Sequence, residues 1–215
     1  MGLVGVAPET MRPTALALNI LVASIVTVRF HLAGQVAWRA VLPFIAGSVP
    51  LAFIGGGLTL PIGVYKALAG VVLLVAAARL AMTAGRAAAA EERSPRVPTL
   101  PALGVGATIG FLSGLVGTGG GIFLTPLLLF AGWSGARAAA GISSAFILAN
   151  SISGLAGNVA SLGSLPAGLP VWLIAVAAGG LVGAALGARR LGTAGLRRAL
   201  AAVLLVAGLK LIFAG

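Results

Sequence analysis

The stretch Gly110-Phe-Leu-Ser-Gly-Leu-Val-Gly-Thr-Gly-Gly-Gly-Ile-Phe-Leu-Thr-Pro126 decides the fold, because three consecutive glycines and then a proline cannot continue an undisturbed helix. Each interior glycine costs about 1 kcal/mol relative to alanine, and an interior proline about 3 kcal/mol. Breaking a helix frees backbone N–H and C=O groups. In hydrocarbon these are tolerated only where protein or a watery cavity satisfies them. A second half-helix starting near residues 120 to 122 would aim unpaired N–H groups and its positive dipole end at the break, which suits a small anion. Thr118 and Thr125 would add hydroxyl donors. The alternative is that these glycines only let helices cross closely, the role we assign to Gly179, Gly183 and Gly187 at four-residue spacing. No Lys-Ser or Lys-Thr follows the glycines, so this is not a Walker A loop, and the acidic partner of a dinucleotide fingerprint is missing.

Outward from the break the chain is almost uncharged. Of 215 residues 60% are hydrophobic and 8% charged, with a mean hydropathy of +1.15, against roughly 25% charged residues in an average soluble domain. Uncharged runs cover residues 13–28, 40–65, 67–78, 97–136, 138–188 and 199–209, and several exceed the ~20 residues that cross a bilayer. The pattern predicts an all-α, polytopic membrane helix bundle. Spans are expected near 12–30, 40–60, 64–82, 137–158, 169–188 and 196–213, with the broken element at 102–131 between them. The thirty-three glycines fit this solvent, in which small residues let backbones pack.

The net charge of +11 comes from Arg and Lys scattered between apolar runs rather than from a basic domain, so no nucleic-acid partner is expected. Without cysteine there are no disulfides, thiolate chemistry or cysteine-bound metal. No cofactor is expected. Arg12 precedes an apolar run as in a signal peptide, but further spans follow and no clear cleavage site is present, so the run reads as a retained helix.

One polar stretch, residues 83–101, divides the chain into a first half, 1–82, and a second half, 102–215. The halves resemble each other. Lys66 to Leu74 aligns with Arg198 to Val206, with identities at Ala67, Leu68, Ala69, Val71 and Leu73, and the same offset sets Gly47 and Gly55 on Gly179 and Gly187. A slightly smaller offset sets Arg12, Ala15 and Asn19 on Arg137, Ala140 and Ser144. Two internal repeats are therefore expected, the usual architecture of secondary transporters, whose substrate site lies where the repeats meet. On this alignment Met1 falls on Pro126, so the first half lacks a counterpart of the glycine element. Either the sequence is an N-terminal fragment, or one copy suffices.

Charge decides how segment 102–131 runs. If it crosses once, Lys and Arg divide seven against seven between the two sides. If it enters and leaves by one face, they divide 11 against 3, with Arg12, Lys66 and Lys210 in the minority. Because Lys and Arg accumulate on the cytoplasmic side, the second arrangement is preferred. We expect a re-entrant element, six full spans, halves of inverted topology and a cytoplasmic linker. Single cysteines introduced at positions 90 and 135 should react with an impermeant thiol reagent from the same face, and labelling from opposite faces would refute the hairpin.

The helix after Arg137 carries Ser143, Ser144, Asn150, Ser151, Ser153 and Asn158, more polarity than lipid contact favours. Read singly, such side chains bond back to their own helix or join neighbours; read as a stripe, they face a pathway. Arg137 reads as an interfacial anchor and His31 as a loop residue. The acids Glu9, Glu91 and Glu92 fall in loops, leaving no intramembrane carboxylate for ion coupling.

The residues GFLSGLVGTGGGIFLTPLLLF (110–130) and AAAGISSAFILANSISG (138–154) resemble the TauE/SafE family of sulfite exporters. The resemblance is strong from Pro101 onward and weaker over 12–82. It implies a multi-pass transporter of the bacterial plasma membrane for sulfite, an organosulfonate such as sulfoacetate, or a related small anion. Carried over, the motif residues are Gly117, Gly119, Gly120, Gly121 and Pro126, followed by Ser143 and Ser144. With Thr118, Thr125 and Asn19, the repeat partner of Ser144, they form the expected substrate site. The expected partners are a small anion and the bilayer, with assembly into homo-oligomers left open. A membrane enzyme is disfavoured by the scarcity of acid and base groups; a scaffold or accessory subunit is the remaining alternative.

Overall fold

The computed structural model describes residues 8–58, 95–158, 166 and 168–186, together with 74, 77, 78, 82, 198, 201–203, 205, 206 and 209. Six helices are described along their length: α1 (Pro8–Leu32), α2 (Trp38–Gly57), α3 (Thr99–Val116), α4 (Gly121–Phe130), α5 (Ala136–Gly157) and α6 (Leu169–Ala185). The expected spans 12–30, 40–60, 137–158 and 169–188 correspond to α1, α2, α5 and α6. Spans 64–82 and 196–213, with Lys66, Arg79 and Lys210, lie outside the continuously described segments. Helix α3 begins at Thr99, inside the stretch assigned to the linker.

Helices α1, α2 and α5 are long and apolar enough to cross a membrane. The distribution of polarity is the reverse of a water-soluble bundle. Val28, Leu32, Leu42, Phe53, Leu100, Val171 and Ile174 point outward, while Thr14, Ser48, Ser113, Asn150 and Ser151 are buried inside. Lipid supplies the outer contacts of such a surface, and close packing with internal hydrogen bonds holds the inside.

Helices α2 and α3 run parallel and nearly touch. A Cβ on Gly106, Gly110 or Gly114 would strike the backbone of Phe44, Ser48 or Ala52, and one on Gly47 or Gly55 would strike Leu103 or Phe111. The seam advances four residues at a time on both helices. Helix α5 lies parallel to α2, with Val49 against Ser153 and Phe53 against Gly157. It runs antiparallel to α1, whose continuation at Gln35 and Val36 meets Gly141 near the start of α5. Among the described residues Gly179 and Gly183 have no neighbour to cross. No described atom lies within 4 Å of a Cβ on either, and Gly180, one residue along, meets Val22 of α1; Gly187 lies outside the described residues.

Segment 102–131 is broken, and its two pieces fold back on each other. Helix α3 has 18 residues and rises about 27 Å, while α4 has 10 and rises about 15 Å. Gly120 returns to the level of Ile109, whose Cγ2 is 2.9 Å from where a Gly120 Cβ would stand. The return ends where the segment began, with Arg96 N–H donating to Trp133 O at 2.9 Å. Four arginines, Arg29, Arg39, Arg96 and Arg137, consequently share one end of the bundle and Arg12 occupies the other, the separation that charge counting favours. At the arginine-rich end the exposed His31 accepts a hydrogen bond at Nδ1 from Trp38 Nε1 (3.2 Å).

Candidate functional site

The break occupies Gly117 to Gly120. Gly117, Gly119 and Gly120 have φ of 78°, 72° and 75°, a left-handed conformation that costs a residue with a Cβ roughly 1–2 kcal/mol. Gly117 closes α3, its N–H donating to Ser113 O at 2.8 Å. Gly120 opens α4 as an N-cap without a side-chain acceptor, and Phe123 and Leu124 are the helical amides that donate to its carbonyl, at 3.1 and 3.2 Å. The leading amides of Gly121 and Ile122 thus start a helix whose positive dipole end points into the break. Pro126 lies within α4, in its second turn, rather than ending it.

Crowding adds to the need for glycine. A Cβ on Gly119 would stand 2.8 Å from Ile147 Cγ2, 3.0 Å from Ser151 Oγ and 3.1 Å from Asn19 Nδ2. One on Gly120 would stand 2.9 Å from Phe146 Cε1 and 3.2 Å from Ser113 Cβ. The break is therefore ringed by α1, α3 and α5, and the inward groups include an amide and hydroxyls.

Several of those groups have no partner. Ser113 Oγ, Thr118 Oγ1, Ser151 Oγ and both polar atoms of Asn150 are buried without a hydrogen bond. Ser113, Asn150 and Ser151 are each 0% exposed. A buried polar atom left unpaired costs about 1–3 kcal/mol, so a group of them beside a helix start marks a place built for something other than stability.

Arg12 stands behind the break. Its Nη1 donates to Leu58 O at 2.9 Å, and its Nη2 donates to Gly55 O and Gly114 O at 2.7 Å each and to Gly56 O. One guanidinium thus gathers the C-terminal carbonyls of α2 and α3, where the negative dipole ends lie. A Cβ on Gly117 would come 2.8 Å from Arg12 Cγ, so the same side chain fixes where the break begins.

Of the residues expected from sequence, Gly117, Thr118, Gly119, Gly120, Gly121 and Asn19 come together here. Thr125 and Ser143 are spent on each other, Thr125 Oγ1 donating to Ser143 Oγ at 2.7 Å, although Ser143 O passes 3.6 Å from a Cβ on Gly121. Ser144 bonds back to Gly141 O at 2.9 Å, and Ser153 Oγ joins α5 to Val49 O at 2.6 Å. The residues left out of the expected site are Ser113, Asn150, Ser151 and Arg12. The polar stripe of α5 signalled Asn150 and Ser151; nothing in local sequence signalled the carbonyls that Arg12 would find.

The sequence is similar to known proteins along nearly its whole length. The family described as sulfite exporter TauE/SafE matches residues 1–211. The chain is 45% identical over 214 residues to "Probable membrane transporter protein y4hK" of Sinorhizobium fredii (strain NBRC 101917 / NGR234), covering 99% of this chain and 87% of that protein. No solved structure matches.

Proposed function

Because the chain belongs to the sulfite exporter TauE/SafE family, we propose that this membrane transporter carries a small anion, sulfite or an organosulfonate, through the glycine break between α3 and α4. The observation that carries the reading is the helix start at Gly121, facing unpaired buried donors on α3 and α5. Exposed N-terminal amides, hydroxyls and a side-chain amide are the groups that bind an oxyanion without neutralising it fully, which a carrier needs in order to release it. The reading is of a carrier and not an enzyme: the break contains no general acid or base among the described residues. By the positive-inside rule the end carrying Arg29, Arg39, Arg96 and Arg137 faces the cytoplasm of a bacterium, and export runs toward the Arg12 end.

The test is sulfite efflux from liposomes containing the purified protein. Wild type should empty them faster than protein-free liposomes. Gly120→Leu, strained at φ 75° and crowded by Ile109 and Phe146, should reduce efflux to background while the protein still inserts. Absence of flux in wild type, with a stable complex to another membrane protein, would favour an accessory subunit.

A further inference from the structure

We propose that Ser113, Asn150 and Ser151 are the recognition side chains of this site, and that the anion they fit still carries a proton. The inference rests on the break being an anion site and adds residues and a ligand class to it.

Placement comes first. Phe146 lies against Gly120, and Ile147 and Ser151 lie against Gly119. Asn150 sits one turn beyond Phe146 on the same face of α5 and next to Ser151. Ser113 is on α3 with its Cβ against Gly120. Ser113 and Ser151 therefore reach the break from two helices, with Asn150 on the α5 face that carries Phe146 and Asn19 Nδ2 arriving from a third helix.

Elsewhere most comparable hydroxyls are satisfied. Ser24, Thr108 and Ser144 bond to carbonyls of their own helices, Ser153 to α2, and Thr125 to Ser143. Thr27 and Ser134 are unpaired hydroxyls away from the break. A serine in a helix ordinarily has its own backbone carbonyls within reach, yet Ser113 and Ser151 take none.

The donor and acceptor inventory then selects the ligand. Ser113, Thr118 and Ser151 can each donate, as can Asn19 Nδ2 and the leading amides of α4, so an oxyanion finds many donors. Asn150 differs: one end donates and the other only accepts, and both ends are unpaired whichever way the amide is turned. A fully deprotonated oxyanion would set lone pairs against Asn150 Oδ1. An oxyanion retaining one O–H donates to that oxygen and accepts from the rest. The charge agrees. Arg12 is the cation beside the break among the described residues, its two Nη atoms already engaged by carbonyls while its buried Nε is not, and His31 is at the opposite end of α1. One partly engaged cation with neutral donors suits a monoanion better than a dianion.

The test is thermal unfolding of the full chain in detergent with sulfite as probe, across pH, in wild type, Ser151→Ala, Asn150→Leu and the control Ser24→Ala. Without sulfite, Ser151→Ala should unfold at or above the wild-type temperature, since it deletes an unsatisfied group. With sulfite, Ser151→Ala and Asn150→Leu should bind about tenfold more weakly or worse, as loss of a hydrogen bond to a charged ligand implies, while Ser24→Ala keeps wild-type affinity. Wild-type affinity should fall as pH rises through the second ionisation of sulfite, and methanesulfonate, which offers acceptors only, should bind more weakly than sulfite at acidic pH. If sulfite never stabilises wild type, the anion-site reading falls with this one. If it does but the variants retain its affinity, or Ser151→Ala unfolds earlier without ligand because water had satisfied the hydroxyl, the recognition role alone is overturned. Affinity rising with pH would overturn the retained proton.

Discussion

Gly110→Leu should separate α2 from α3 and unfold the protein at a far lower temperature than wild type. The Cβ alone would stand 2.5 Å from Ser48 O and 2.6 Å from Ser48 Cα, against ordinary carbon contacts of about 3.5–4.0 Å. These are backbone atoms and cannot rotate away, so the helices must part by about 1 Å, which also loosens the contacts at Gly106 and Gly114 one turn on either side. In lipid no hydrophobic force pulls the helices back together, because acyl chains are as apolar as the side chains they replace. Overpacking a core costs about 1–3 kcal/mol, and leucine placed against backbone should reach or exceed the top of that range. Gly104→Leu is the matched control: it lies on the same helix, but a Cβ there meets nothing within 4 Å. Detergent unfolding monitored by circular dichroism should show Gly104→Leu near wild type and Gly110→Leu well below it; equal stabilities would mean that the seam does not hold these helices.

That seam shows where sequence reading stops. The break was legible because GTGGG carries its own backbone physics, and α4 starts at Gly121, within the expected 120–122. The return of the segment to its own side was legible from the placement of arginines, since charge depends on which end of a helix reaches water. Glycines inside an apolar helix carry no comparable signal. Gly106, Gly110 and Gly114 share their four-residue spacing with Gly179 and Gly183, and only the neighbour's position separates a crossing face from an outer one. Polar residues of α5 behaved the same way. Ser144 and Ser151 look equivalent in sequence, yet one bonds to Gly141 O and the other turns toward Gly119, a difference fixed by the tertiary approach of the break.

Arg12→Leu should be the most damaging replacement of a charged side chain among the described residues. Its guanidinium serves carbonyls of Gly55, Gly56 and Leu58 at the end of α2 and of Gly114 near the end of α3, residues 43 to 102 positions away in sequence. Hydrogen bonds to a charged group contribute about 1.5–3 kcal/mol each but are not additive around one side chain. Water can reach the exposed Leu58 carbonyl more readily than the part-buried ones, so a net loss of about 3 kcal/mol is expected. Arg12→Lys should recover only part of it, because an ammonium has three donors and no planar fork to span two helix ends. The acceptors are neutral carbonyls, so the stability difference between wild type and Arg12→Leu should persist as salt is raised, whereas an ion pair would be screened. Transport should fail along with stability, since Gly117 rests on Arg12 Cγ and the break would lose its fixed origin. Arg12→Leu unfolding at the wild-type temperature would show that the two helix ends are held by something other than this side chain.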